Sequence, residues 1–380
     1  MRHPGTLEVF DNPYIPGWKI VNATGATEIQ SNEMCPVCSC RLEDLARYSD
    51  DTRSLRLGLC SSCMHVTYKD KPSASWLNKF YSETWEAGKK NTSLKPLTNK
   101  KSAITKKILS VGLSHEAVIL EIGTGHGRVL AEVVREGYVN AFGIENSHYR
   151  AQEIARKRKI NVYEGSFESP AIQLLLEQKK PLDMIYSAHV FEHILDPGSI
   201  VNRMNDLLRQ GGIAVVSVPN FFKEPVANVL FFLPHLHSFT AKSLSTLFEK
   251  RGFVIHSLSE ENHELIIVAE KTDFHSEHGK KPTSHTITRE SVHAKIAEEL
   301  KLGETVPNKK YHLLWSTKKA NQTFLLRGMR YFLKKIMCVI ERKIFLQGPL
   351  WRSITIMRNS GPINFPLNIY FKKRIYLFYK

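Results

Sequence analysis

The sequence predicts an α/β fold, a mainly parallel sheet whose strands are joined by crossover helices. Three observations carry this. From residue 116 to about 271, short apolar runs alternate with helical segments, the pattern of repeated strand–helix units. The run "AVILEI" (117–122) is followed at once by Gly123, Gly125 and Gly127, bare backbone of the kind needed where a chain leaves a strand beside a ligand. "NAFGIENS" (140–147) then carries Glu145 at the end of a second strand, about twenty residues past the glycines.

The remaining elements follow in order. "INVYEGSFES" (160–169) reads as a third strand, with Gly165, Ser166 and Phe167 at its end. "LDMIYSAHVFEHILDP" (182–197) reads as a fourth, ending near His189 with Glu192 and His193 just beyond. "LLRQGGIAVVSVPN" (207–220) reads as a helix end, a glycine turn and a fifth strand. A helix and a final strand pair account for "SLSTLFEKRGFVIHSLSEENHELIIVAE" (243–270). The expected organisation is an N-terminal segment (1–75), a helical lead-in (76–115) containing most of "SASWLNKFYSETW", and the α/β domain (116–271). A linker with a short helix (272–320) and a C-terminal extension (321–380) follow.

At 380 residues and 42% hydrophobic composition, the chain is long enough for two or three domains with real cores. The net charge of +16 is unevenly placed. Residues 321–380 hold twelve Lys/Arg against one acid, Glu341. The basic character therefore belongs to the extension and implies an anionic partner there. "MRHPGTLEVFDNPY" does not read as a signal peptide, and no apolar run reaches the ~18 residues of a spanning helix. A cytoplasmic location is expected, where thiols stay reduced and cysteines need a reason other than disulfides.

"CPVC" (35–38) and "CSSC" (60–63) supply that reason. Two CxxC turns about twenty residues apart present Cys35, Cys38, Cys60 and Cys63 as four thiolate ligands for one zinc ion. A closed four-thiolate site is structural, and it holds together a segment too small for a sufficient apolar core.

The glycine loop has the spacing G-x-G-x-G and is followed by Arg128, where a dinucleotide fingerprint needs another glycine. Glu121 is also a poor neighbour for a pyrophosphate. A ligand with a positive end and no phosphate fits better, and S-adenosylmethionine is such a ligand. A carboxylate at Glu145 suits the two ribose hydroxyls of an adenosine, and the end of the third strand suits the adenine.

In sum, residues 116–271 resemble the class I S-adenosylmethionine-dependent methyltransferases. That resemblance implies a Rossmann-like seven-stranded sheet with helices on both faces. Gly123, Gly125 and Gly127 match the family's first motif with Glu121 as its acid, and Glu145 matches its ribose-binding acid. Ser166, Phe167 and His189 fall where such proteins line the cofactor pocket; many members have an acid where Ser166 stands. "VFEHILDP" and "LPHLHSFTAKSLSTLFEKRGF" resemble segments of the group that includes ubiquinone-type and sugar methyltransferases. "CPVC…CSSC" followed by "FYSETW" resembles the zinc-binding, zinc-ribbon-like module that precedes some sugar methyltransferases. A C-terminal domain common in sugar C-methyltransferases is not recognisable.

Methyl transfer from a sulfonium is a direct displacement, so the protein chiefly aligns the reactants. A hydroxyl acceptor also needs a base. His193, His235 and His237 are the candidates, with Glu192 beside His193 as an orienting carboxylate. The expected acceptor is a small molecule, foremost a sugar or glycan precursor. A quinone- or lipid-directed O-methyltransferase, an RNA methyltransferase and a non-catalytic cofactor-binding protein are the alternatives. In "TFLLRGMRYFLKKIMCVIERKIFLQG" (323–348), Leu325, Met329, Phe332, Ile336 and Ile340 recur at helical spacing among basic residues. An interfacial helix on an anionic membrane is one reading of it, and a helix packed on the main domain is another. Nucleic acid is the less favoured partner.

Overall fold

The structure is a computed structural model. It describes residues 29–50, 53–81, 94, 97, 100–223, 234–272 and 287–304, together with the short strands named below. Residues 1–313 form one compact unit and 314–380 a second.

The N-terminal part of the first unit is antiparallel. Its strands are β1 (Thr6–Val9), β2 (Ile15–Pro16), β3 (Ile29–Ser31), β4 (Glu43–Asp50), β5 (Arg53–Leu59), β6 (Val66–Tyr68) and β7 (Asp70–Pro72). The four cysteines of the CxxC turns lie on the two tight turns that flank β4 and β5. The lead-in begins with the helix Ala74–Lys79, capped by the Ser73 side chain.

The α/β domain is built on β8 (Ile119–Ile122), β9 (Ala141–Glu145), β10 (Val162–Glu164), β11 (Leu182–Ala188) and β12 (Leu208–Pro219). After β13 (His237–Ser238) come β14 (Phe253–Glu261) and β15 (Glu264–Lys271). The sheet has seven strands in the order β10-β9-β8-β11-β12-β15-β14. The first five run parallel, and β15 is antiparallel to both β12 and β14. The predicted seven-stranded α/β sheet is therefore present, with the switch in strand order between β8 and β11.

Alternation along the strands explains its two covered faces. Leu120, Ile122, Ile185, Val216 and Val218 enter one core. Ile119, Met184, Tyr186, Ile213 and Val215 enter the other. The first core is covered by the helices Pro170–Lys179, Pro197–Leu207 and Ala241–Glu249, the second by Ala103–Ser110 and Arg128–Arg135. Each fully buried aliphatic side chain contributes about 1.5–3 kcal/mol. Local signals set the helix starts. Thr240 and Ser243 form a reciprocal capping box, and Asp196 caps a helix with Pro197 in its first turn.

β13 does not join the seven-stranded sheet. It pairs antiparallel with β6, extending the N-terminal sheet to the order β13-β6-β5-β4-β1-β2. Cys35, Val37, Cys38, Leu42, Cys60 and Cys63 are part of the same core as Phe239, Ala241 and Leu244. The cysteine module is thus packed onto the α/β domain through a continuous core and a shared strand.

The helix Arg289–Glu304 covers the short helical segment expected after the linker. In the second unit, β16 (Ile354–Arg358), β17 (Gly361–Pro362) and β18 (Ile375–Phe378) form a three-stranded sheet. The amphipathic helix expected at 323–348 lies outside the described residues. No helix among the described residues is long and apolar enough to cross a membrane.

Candidate active site

The C-terminal ends of β8, β9, β10 and β11 bring the expected cofactor residues to one edge of the sheet, at the switch point where ligands bind in this architecture. Gly125 has a left-handed backbone (φ +57°), and a Cβ placed there would meet nothing within 4 Å. Its bareness faces open space, as a cradle requires. Gly123 and Gly127 serve packing as well. A Cβ at Gly123 would lie 2.5 Å from Val190 Cγ2, and one at Gly127 would lie 2.7 Å from Ile154 Cγ2.

Glu145 ends β9 with its carboxylate held by the chain. Its Oε2 accepts from Gly125 N–H at 2.7 Å and its Oε1 from Ser147 N–H at 3.0 Å. The β9 acid and the glycine loop are therefore one structure. Gly165 N–H donates to the Glu145 carbonyl at 2.9 Å, which brings Ser166 and buried Phe167 alongside. Glu121 is buried on β8, and its Oε2 has no hydrogen-bond partner; Thr124 Oγ1 is in the same condition. Burial, then the nearby charge of Glu145, raises the Glu121 carboxyl well above its ordinary value. Two close carboxylates, one with an orphaned oxygen, call for a cationic ligand. These residues fit a ligand with a positive end such as an aminoacyl sulfonium, whose charge would favour the ionised form of Glu121.

The second cluster follows β11. Phe191–His193 form a single 3₁₀ turn. His193 Nδ1 donates to the Pro234 carbonyl at 2.9 Å, since a carbonyl only accepts. In the neutral ring this leaves Nε2 as the proton acceptor. Glu192 is buried, and its Oε1 lies 3.8 Å from His193 Nε2. Burial raises the Glu192 carboxyl, but the neighbouring His193, His189 and His235 outweigh it and bring it down to about 2. His235 stacks obliquely on His193 with ring centroids 4.8 Å apart. Glu192, His193 and His235 present ligand-type atoms within 4.8 Å of one another.

His237, the third candidate base, is placed elsewhere, and this corrects its sequence reading. It is buried in β13, where Nε2 donates to the Ile194 carbonyl at 2.8 Å and Nδ1 accepts from His65 Nε2 at 3.0 Å. Burial, with Lys71 and His65 nearby, holds it well below the usual histidine value. Both nitrogens are occupied, so His237 joins the cysteine module to the turn carrying His193. His189, expected to line the cofactor pocket, instead sets its ring between Glu192 and Glu264.

Two side chains beside the site were not among the expected site residues, although Tyr81 lies within "FYSETW". Tyr81, from the lead-in, sets its ring edge-on to His193 at 5.6 Å, and its hydroxyl is pushed up by burial and by Glu192. Buried Lys71 donates to the Leu195 carbonyl at 3.3 Å; burial, opposed by Asp196, lowers it to about 8. Only contacts between residues more than 100 positions apart reveal these roles.

In the cysteine module, Cys35 Sγ lies 3.6 Å from Cys63 Sγ and Cys38 Sγ 3.4 Å from Cys60 Sγ. All four sulfurs fall within 4.8 Å of one another. A wide groove of about 1180 Å³ on this module is lined by Arg56, Lys69 and Arg289 among others. Those three cations are already paired with Glu33, Asp70, Asp44 and Glu43, so the groove does not compete with the sheet edge as the reaction site.

Residues 95–258 match the methyltransferase domain family. The chain is similar to the ubiquinone biosynthesis O-methyltransferase of Caulobacter vibrioides, with 31% identity over 104 residues, covering 27% of this chain and 40% of that protein. It is also similar to the enzyme of the same name from Xylella fastidiosa, with 31% identity over 110 residues, 27% of this chain and 42% of that one. It thus spans about two fifths of the length of these curated relatives. Among solved structures, an S-adenosylmethionine-dependent methyltransferase from Mesorhizobium loti aligns at 14% identity and a TM-score of 0.35, over 45% of this chain and 99% of that chain. The matched span includes the glycine loop, Glu145 and the 3₁₀ turn carrying His193.

Proposed function

We propose that the chain transfers a methyl group from S-adenosylmethionine to a hydroxyl of a small-molecule acceptor. The observation that carries this is the convergence of a glycine–carboxylate cradle and a base-ready histidine on one sheet edge. Glu145, the 123–127 loop, Ser166 and Phe167 would hold the adenosyl part, and Glu121 would compensate the positive end. Bound there, the cofactor supplies an electrophilic methyl group. His193, its tautomer fixed by Pro234, offers Nε2 to the acceptor hydroxyl and takes its proton. The Glu192 carboxylate then faces the new imidazolium. His235 and Tyr81 shape the wall beside it.

Two acceptor classes have support. The names of the curated relatives favour an aromatic hydroxyl of a quinone precursor, and this class leads. The docked cysteine module, resembling that of sugar methyltransferases, supports a sugar hydroxyl as second. In the module, a zinc ion on Cys35, Cys38, Cys60 and Cys63 accounts for four buried sulfurs that converge within 4.8 Å of one another. A tetrahedron of Zn–S bonds of about 2.3 Å has edges of about 3.8 Å, near the Cys35–Cys63 and Cys38–Cys60 sulfur spacings of 3.6 Å and 3.4 Å.

The test supplies methyl-labelled cofactor and a fractionated lysate to the full chain and to His193→Ala. The reading expects label in an organic-soluble or sugar pool, reduced at least ~100-fold by the substitution. Label in RNA, or transfer unchanged by His193→Ala, would refute it.

A further inference from the structure

His189 has a left-handed backbone (φ +54°), unusual for a residue with a Cβ. Two contacts hold it there. Its N–H donates to the Ser217 carbonyl at 2.9 Å, and its ring lies between two carboxylates. Nε2 is 3.0 Å from Glu264 Oε1 and Nδ1 is 3.4 Å from Glu192 Oε1. Glu264 is fixed in turn, because its Oε2 accepts from Ser217 Oγ at 2.7 Å. Carboxylates only accept, and a neutral imidazole has one N–H. Donating to both partners takes the doubly protonated ring.

We infer that His189 is a positioning residue: bridging Glu264 and Glu192, it fixes the Glu192 carboxylate beside His193. This rests on the reading of His193 as the base. Without the bridge, two buried or half-buried carboxylates would face each other across the end of β11 with no cation between them. With it, Glu192 keeps its charge and its direction, and the negative balance of the trio is turned toward His193. Glu192 and Glu264 flank His189 directly, and Glu192 in turn neighbours His193 on the 3₁₀ turn, His235 before β13 and Tyr81 from the lead-in. Burial opposes a charge on His189, but the hydrogen bonds to Glu192 and Glu264 prevail and raise it to about 10. Glu264 is lowered correspondingly, chiefly by its hydrogen bond to His189.

Nitrogen NMR of histidine-labelled full chain tests the bridge without needing an acceptor. The His189 ring, assigned by its loss in His189→Gln, should stay protonated through neutral pH. Glu264→Gln should lower its titration by ~1–2 units. A His189 ring that is neutral at pH 7, or that ignores Glu264→Gln, would overturn the inference. Labelled-methyl transfer tests the positioning. His189→Gln should reduce it ~10-fold while cofactor affinity stays within ~2-fold, and His189→Arg, which keeps a cation with several donors, should restore most of it. Unchanged transfer in His189→Gln, alongside loss in His193→Ala, would overturn the positioning role. Lost cofactor binding in His189→Gln would also overturn it and return the residue to the cofactor pocket. Transfer that survives His193→Ala would instead remove the base reading, and the titration would still stand by itself.

Discussion

At the scale of single residues, the glycine loop separates stability from binding. Gly125→Ala introduces a Cβ into open space at a positive φ. It should cost about 1–2 kcal/mol in stability yet weaken cofactor binding at least ~10-fold, measured by thermal melts and calorimetric titration. Gly127→Ala meets Ile154 and should lose more stability than Gly125→Ala. The pH signs are also set here. His189 has a raised value in the fold, so its stabilising contribution is full below about 6.5 and is lost as pH rises through about 10. Glu192 has a lowered value, so its contribution is present above about 4.5 and lost as pH falls through about 2. Denaturant melts across pH should show stability falling off in both directions, and His189→Gln should remove the alkaline loss. The acids and glycines of the loop were legible in the sequence because their spacing along one chain segment encodes them. The His189 bridge was not, because Glu264 lies 75 positions away on a strand whose polar end gives no local sign.

At the scale of elements, the parallel strands announced themselves through short apolar runs, and their common direction followed from the strand–helix alternation. β13 did not. "HLHSF" looked like loop histidines near an acceptor, yet β13 pairs with β6 across 170 positions. What the pairing does is specific. Leu236 N–H donates to the Glu192 carbonyl at 2.7 Å, while its own carbonyl accepts from Tyr68 N–H and from Thr67 Oγ1. Arg251 reaches the Val37 carbonyl, inside the first CxxC turn, at 3.0 Å. The cysteine module therefore braces the turn that carries His193. His237→Ala should cost about 1–3 kcal/mol, because His65 and the Ile194 carbonyl lose their buried partner. It should leave cofactor affinity unchanged within ~2-fold. Unchanged stability with lost methyl transfer in that variant would argue that the histidine acts as a base after all.

At the scale of the whole molecule, charge and chemistry are segregated. Eleven of the sixteen net positive charges lie in residues 321–380, away in sequence from residues 95–258, which match the methyltransferase domain family. Under the membrane reading of the extension, deleting 321–380 should abolish binding to vesicles containing anionic lipid and leave cofactor binding intact, measured by co-sedimentation at low and physiological salt. Vesicle binding unchanged by the deletion would reject that role.

The central claim is that the β8–β9 edge binds S-adenosylmethionine through Glu145. Calorimetric titration of the full chain with the cofactor, beside Glu145→Ala, tests it most directly. The account predicts saturable one-site binding in the natural chain and none measurable in the variant. Equal binding by both, or no binding by either, would contradict it.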